Sequence, residues 1–250
     1  MLSDGWIDEL RADRIGQALD HLRNKLQTPT LFPSNYYGLG AVYMWSGDYK
    51  SALAHFDEQI RAGVPRNPAG DAAFAMAGAA AWCLSNEDLA VKYWRKGATP
   101  AFAVAGANTR TALLLFALSI LTPDGSSAER ADNLLRKKVN HWRVRNWPGP
   151  IAQYIVGEIS EEEVREKAVY RTGDPRDRNP KSWQFSFYKL LKNCAAADNR
   201  IQALESGFKP LLQVKGSEYL EGEKFFYFLR LEEFYLARDW ILKRNGSSLA

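Results

Sequence analysis

Tyr36-Tyr37-Gly38-Leu39-Gly40-Ala41-Val42-Tyr43-Met44-Trp45-Ser46-Gly47-Asp48-Tyr49-Lys50-Ser51-Ala52-Leu53-Ala54-His55-Phe56 reads as two helices joined by a tight turn. Leu39, Gly40 and Tyr43 share one face of the first helix, since residues three and four apart are neighbours on a helix surface. Gly47 suits the left-handed residue that ends a helix, and Asp48 is a good cap for the next. Ala52 and Phe56 lie one turn apart and face back toward the first helix. Gly40 and Ala52 let the two backbones approach while the aromatics fill the flanks.

The same pattern recurs along the chain. With Ala52 as the anchor of a second helix, comparable anchors fall at Ala18, Ala90, Ala131, Val164 and Ala203, at spacings of 34, 38, 41, 33 and 39 residues. Four residues after the anchors stand Leu22, Phe56, Trp94, Leu135, Ala168 and Gly207. Four residues before them stand Asp48, Asn86, Ser127, Ser160 and Asn199, each a favoured N-cap, with only Arg14 of the first unit failing. Ser160-Glu161-Glu162-Glu163 is a capping box. First helices are expected over 71–84, 101–121, 148–157 and 181–196, with Gly78 standing where Gly40 stands. Recurrence at 33 to 41 residues marks a degenerate stack of helix pairs, each too small to bury its apolar face alone, with the unequal spacings taken up by inserted loop residues.

The unit Tyr36–Phe56 resembles the tetratricopeptide repeat (TPR) signature, in which an aromatic, Leu-Gly, an aromatic, Gly, an aromatic, Ala and a final aromatic follow in order. Tyr36, Leu39, Gly40, Tyr43, Gly47, Tyr49, Ala52 and Phe56 fit it, and Pro65 approximates its closing proline. The stretch Trp147-Pro148-Gly149-Pro150-Ile151 through Glu163 is similar to a segment of bacterial TPR adaptors, which points to a bacterial source. The resemblance implies an all-α fold, an α-solenoid of about five to six degenerate TPR-like helix pairs forming a single superhelical domain over residues 1–250. Phe225, Phe226, Phe228, Leu229, Leu231, Phe234, Tyr235, Trp240 and Ile241 crowd one helix, apolar on most faces. It is read as the C-terminal cap over about 217–245, with folding into the groove left open. Arg171–Pro180 is the most irregular loop.

Composition fits a folded chain: 46% of residues are hydrophobic and 25% charged, and the net charge of +4 is spread over 33 basic and 29 acidic residues. Cys83 and Cys194 are far apart and read as buried thiols, not a disulfide. Residues 1–5 carry no leader or lipidation pattern, and Leu113–Leu121 is too short to span a bilayer, so the expected location is cytoplasmic, with no membrane partner.

Nothing in the sequence asks for an enzyme, a cofactor or a metal. No phosphate loop, dinucleotide fingerprint, serine elbow or zinc helix occurs. His21 and His55 occupy one repeat position and so stand a whole repeat apart, and His141 sits among cations. Glu161, Glu162 and Glu163 read as first-turn acids that complement the helix dipole.

What remains is binding. Carrying the family's concave face over by register assigns partner contacts to Tyr37, Met44 and Trp45, to Trp82, and to Gln153, Tyr188 and Lys192. The expected function is an adaptor or scaffold that grips another protein there. One alternative is an immunity protein that occludes a cognate bacterial toxin. Another is an RNA- or DNA-binding repeat protein using a basic patch of Arg136, Lys137, Lys138, Arg143 and Arg145, where cations would neutralise phosphates. An acidic protein suits the same patch, and nucleic acid is the disfavoured partner.

Overall fold

A computed structural model describes residues 5–26, 34–62, 70–98, 107–122, 128–140, 146–168, 180–195, 197–213 and 231–246. The described residues form only α-helices: α1 (Gly5–Arg11), α2 (Ile15–Leu26), α3 (Ser34–Ser46), α4 (Tyr49–Arg61), α5 (Gly70–Cys83), α6 (Glu87–Gly97), α7 (Ala107–Leu121), α8 (Ala128–Val139), α9 (Gly149–Val156), α10 (Glu161–Ala168), α11 (Pro180–Ala195), α12 (Arg200–Leu211) and α13 (Glu232–Arg244). None of these is long and apolar enough to cross a membrane. The residues expected at Pro65, Ser127, His141, Arg143, Arg145, most of the Arg171–Pro180 loop, and Phe225 to Leu229 of the terminal helix lie outside the described residues.

Each helix packs on the next in sequence, and contacts that skip one helix join α5 to α7, α7 to α9 and α9 to α11. The reason is in the side chains. Every residue from Ala72 to Cys83 of α5 is buried, as is all of Thr111–Thr122 in and just after α7. Alanines dominate α5, so neighbours approach it from several sides. By contrast α4 and α6 bury one stripe each, Ala52, Phe56 and Gln59 in the first and Ala90, Trp94 and Gly97 in the second.

The anchor positions organise this packing. Ala18, Ala52, Ala90, Ala131 and Val164 are all buried, and so are Leu22, Phe56, Trp94, Leu135 and Ala168 one turn later. A Cβ added at Gly40 would fall 2.5 Å from the Phe56 ring, and one at Gly78 would fall inside the indole of Trp94, 2.6 Å from Cδ1. The same glycine-to-aromatic lock thus recurs after 38 residues. In α12 the register moves by one: Ala203 and Gly207 are half-buried, while Leu204 and Phe208 go inside at 1% and 0% exposure. Here the lock is reversed, with Gly207 on the second helix receiving Leu190 from the first.

Caps set the helix starts. Asp48 Oδ1 accepts the Ser51 N–H at 3.1 Å and Asn86 Oδ1 that of Leu89 at 3.1 Å. In the capping box Ser160 Oγ accepts the Glu163 N–H at 3.2 Å, and the Glu163 carboxylate accepts the Ser160 N–H at 2.7 Å. Asn199 departs from the expected pattern: its amide donates to Gln202 Oε1 at 2.6 Å and caps nothing. Gly47 (φ 87°) and Gly157 (φ 85°) take the left-handed conformation that ends α3 and α9.

Candidate functional site

Three of the residues expected to contact a partner, Trp45, Trp82 and Tyr188, instead meet the chain's own last helix. Trp45 stacks on Phe234 of α13 with ring centroids 5.9 Å apart. Tyr188, fully buried on α11, donates its hydroxyl to Glu233 at 2.8 Å. Trp82 is 4% exposed, and its ring lies 5.5 Å from the Lys243 ammonium. Met44 is fully buried, and Tyr37 is buried against Phe56 at 5.6 Å. Tyr37, Met44, Trp82 and Tyr188 are therefore corrected from open-surface positions to interior ones. Register identifies which face of a helix turns inward; it does not say what fills the space there.

Gln153 and Lys192 stay half-buried at the α9–α11 side. Gln153 reaches Glu158 at 3.5 Å. Lys192 donates to the Tyr154 carbonyl at 2.6 Å and lies 4.0 Å from that ring. Partial burial lowers the Lys192 pKa from its ordinary value.

Three side chains of α13 meet the C-terminal ends of three other helices. The Arg238 guanidinium donates to the Met44 carbonyl at 2.8 Å and the Trp45 carbonyl at 3.2 Å, at the end of α3. Trp240 Nε1 donates to the Leu121 carbonyl at 3.3 Å, at the end of α7. The Lys243 ammonium donates to the Trp82 carbonyl at 3.1 Å, at the end of α5. The last carbonyls of a helix have no partner within it and carry the negative end of its dipole, so cations and N–H donors are favoured there. Arg238 also packs against the rings of Tyr235 and Phe234, 5.2 and 5.5 Å from their centroids.

A buried polar chain secures the other end of α13. Trp147 Nε1 donates to Gln184 Oε1 at 2.7 Å, Gln184 Nε2 donates to Glu233 Oε1 at 2.7 Å, and Tyr188 joins the same oxygen. Arg110 pairs with Glu232 at 3.4 Å. Burial, reinforced by Glu233, raises the Tyr188 phenol well above its usual range, so it stays a neutral donor. Near the C-terminal end, Asp239 pairs with Lys243 at 2.7 Å; burial raises its pKa and the lysine opposes the shift. Sequence reading did not single out Arg238, Asp239 or Lys243, nor the Gln184–Glu233 pair. The available signal was charge placed inside a segment apolar on most faces.

The expected basic patch is only partly surface charge. Arg136 pairs with Asp132 at 2.7 Å, and Lys137 is exposed. Lys138 donates to the Ala98 carbonyl at 2.8 Å just after α6, and burial lowers its pKa. His55 stacks on Tyr43 with centroids 5.3 Å apart; burial first, then Arg23, lowers its pKa. His21 lies 3.8 Å from Glu9. Among the described residues no group of three or more His, Cys, Asp or Glu is arranged to hold a metal.

No family model, curated protein or solved structure matches this chain.

Proposed function

We propose that this chain is a non-catalytic protein-binding scaffold, a TPR-like α-solenoid of helix pairs in which α13 serves as the cap and lies in the concave groove. The observation that carries the reading is the recurrence of one packing device in consecutive helix pairs, Gly40 under Phe56 and Gly78 under Trp94, with each aromatic one turn after its anchor. Stacked pairs of this kind present broad surfaces and bind by complementarity alone. Within this reading the protein is bacterial and cytoplasmic and needs no cofactor.

Occupation of the interior face favours one version of that function. On this reading the groove is taken up by α13, whose Phe234 and Trp240 are buried, and a folded partner docking on the outer surface fits better than a short peptide threading inside. The immunity role, one tight partner occluded by a large surface, fits that arrangement. The nucleic-acid reading gains little support, because Arg136 and Lys138 are spent on Asp132 and the α6 terminus.

The test is affinity capture by the immobilised full-length chain from its native cell at low and high salt. Each captured protein is then purified and recombined by titration calorimetry. One stoichiometric, salt-resistant partner would support immunity, and several weak ones an adaptor. Failure of every purified candidate to bind, or catalytic turnover by the chain itself, would sink the proposal.

A further inference from the structure

Two arginine–lysine doublets stand at the same place in successive helix pairs. Arg95-Lys96 lies five and six residues after the anchor Ala90, and Arg136-Lys137 lies five and six after Ala131. The anchors are buried, as are Trp94 and Leu135 one turn on, so both doublets turn to the opposite, outer faces of α6 and α8, where all four residues are exposed. A side chain joins the two helices at this end: Lys138 of α8 donates to the Ala98 carbonyl just past α6 at 2.8 Å. Neighbouring helices place their axes on the order of 10 Å apart, and the doublets repeat at that spacing. In α4 the same two positions after Ala52 hold Asp57-Glu58, and both are used internally. Asp57 accepts the Tyr93 hydroxyl at 2.5 Å, and Glu58 pairs with Arg61 at 2.6 Å. The row therefore has a defined edge, where its charge changes sign.

The helix dipole does not account for this much charge. A helix end amounts to about half an elementary charge, which one cation offsets. Over its last two turns α6 carries Lys92, Arg95 and Lys96 with no carboxylate among them, and the last turn of α8 carries Arg136, Lys137 and Lys138. Lys92 stands four residues from Lys96 and three from Arg95, spacings at which like charges repel. Among the described residues Lys92, Arg95 and Lys137 make no ion pair. Arg136 holds only Asp132 of its own helix, an exposed contact worth little that exchanges readily for another carboxylate.

We propose that the outer faces of α6 and α8 dock an acidic protein surface presenting two carboxylate clusters in step with the two doublets. This rests on the scaffold reading above and gives its outer surface a place and a chemistry. An arginine fork beside a lysine matches a pair of carboxylates. Nucleic acid is the poorer fit, because the positive charge comes in two packets. A duplex carries one negative charge per about 1.7 Å and would run past the packets onto Asp57, Glu58 and Asp132. Nor does either helix offer a base a ring to stack on, since Trp94 is buried and Tyr93 is half-buried with its hydroxyl on Asp57.

The probe is a fluorescent peptide with two Glu-Glu pairs whose first residues stand three apart, about 10 Å in an extended chain, titrated by anisotropy against the full-length chain at low salt. Arg95→Glu with Lys96→Glu, and separately Arg136→Glu with Lys137→Glu, should each weaken binding at least tenfold. The same change of charge on α10, Arg165→Glu with Lys167→Glu, should weaken it less than threefold. Circular dichroism and urea midpoints confirm that each variant folds; where a reversal does not, Arg95→Gln with Lys96→Gln replaces it and should cost fivefold. Equal losses in all three reversals would reduce the effect to net charge and overturn the proposal, as would single- or double-stranded DNA of equal charge binding more tightly than the peptide. A purified natural partner that binds both reversed chains as tightly as wild type overturns this surface and leaves the scaffold reading standing. The scaffold reading itself falls only if no purified partner binds the wild-type chain.

Discussion

Gly78→Ala puts the packing lock to a test in which two effects of opposite sign compete. Gly78 lies inside α5, so helix propensity alone makes alanine better by about 0.8–1 kcal/mol. Against that, the new Cβ would fall within the Trp94 indole, 2.6 Å from both Cδ1 and Cε2. Trp94 is fully buried and its Nε1 donates to the Ala75 carbonyl at 3.0 Å, so the ring has no space to retreat into and a bond to lose if it does. Overpacking of this sort costs about 1–3 kcal/mol, and the strained hydrogen bond adds about 0.5–1.5. The net expectation is a loss of about 1–3 kcal/mol. Gly16→Ala is the control: it is exposed on α2 with nothing within 4 Å of the new Cβ, and should gain up to about 1 kcal/mol from propensity. Urea midpoints measured on both variants decide the matter. A Gly78→Ala chain as stable as wild type would refute the close approach, and with it the helix-pair geometry drawn from Gly40 and Gly78. Trp94→Phe in the Gly78→Ala background should recover part of the loss, because the smaller ring relieves the overlap and couples the two sites.

Glu233→Leu leaves the Gln184 amide and Tyr188 hydroxyl without an acceptor in a buried space and should cost about 2–5 kcal/mol in thermal or urea unfolding; a loss below half a kcal/mol would mean these groups find other partners. Making the cluster apolar as a whole, with Gln184→Leu and Tyr188→Phe added, should restore much of that stability while the Trp240 environment becomes heterogeneous in its fluorescence lifetimes. A single unchanged Trp240 lifetime would argue against a role in register. Ser160→Ala removes one half of the capping box and should destabilise α10 by about 1 kcal/mol, seen as faster amide exchange confined to its first turn. Burial raises the phenols of the fully buried Tyr188 and Tyr235, with Glu233 adding at the first. A raised folded pKa contributes stability that is complete below the unfolded value near pH 10 and is lost as pH climbs from there toward the folded value. Phenolate absorbance of these tyrosines should therefore appear together with loss of helical circular dichroism; gradual titration under an intact helical signal would contradict their burial.

The all-helical build was legible because two local signals recur together. Small anchors such as Ala52 and Ala90 sit four residues after capping side chains such as Asp48 and Asn86, and both are set by short-range sterics and hydrogen bonding. Legibility faded where packing depends on distant chain. At α12 the expected Ala203 and Gly207 gave way to Leu204 and Phe208, because burying phenylalanine outweighs keeping alanine in register. Tyr37, Met44, Trp82 and Tyr188, expected on an open partner-binding face, are buried instead. That α13 would meet them was not readable, since Arg238 and Met44 lie 194 residues apart and nothing local links a guanidinium to a carbonyl so distant.

That long-range contact answers why a buried helix carries so many charged residues. Apolar docking alone leaves the position of α13 along its axis poorly determined. A shift by one turn, about 5.4 Å, would bring Leu236 to the place of Trp240 and Ala237 to that of Ile241, exchanging one apolar residue for another. The polar contacts do not survive such a slip. Arg238 would leave both α3 carbonyls, and Glu233 would leave Gln184 and Tyr188, stranding a buried carboxylate and its donors at a cost of several kcal/mol. Phe234, Tyr235, Trp240 and Ile241 thus set how strongly α13 is held, while Glu233, Arg238 and Lys243 set where.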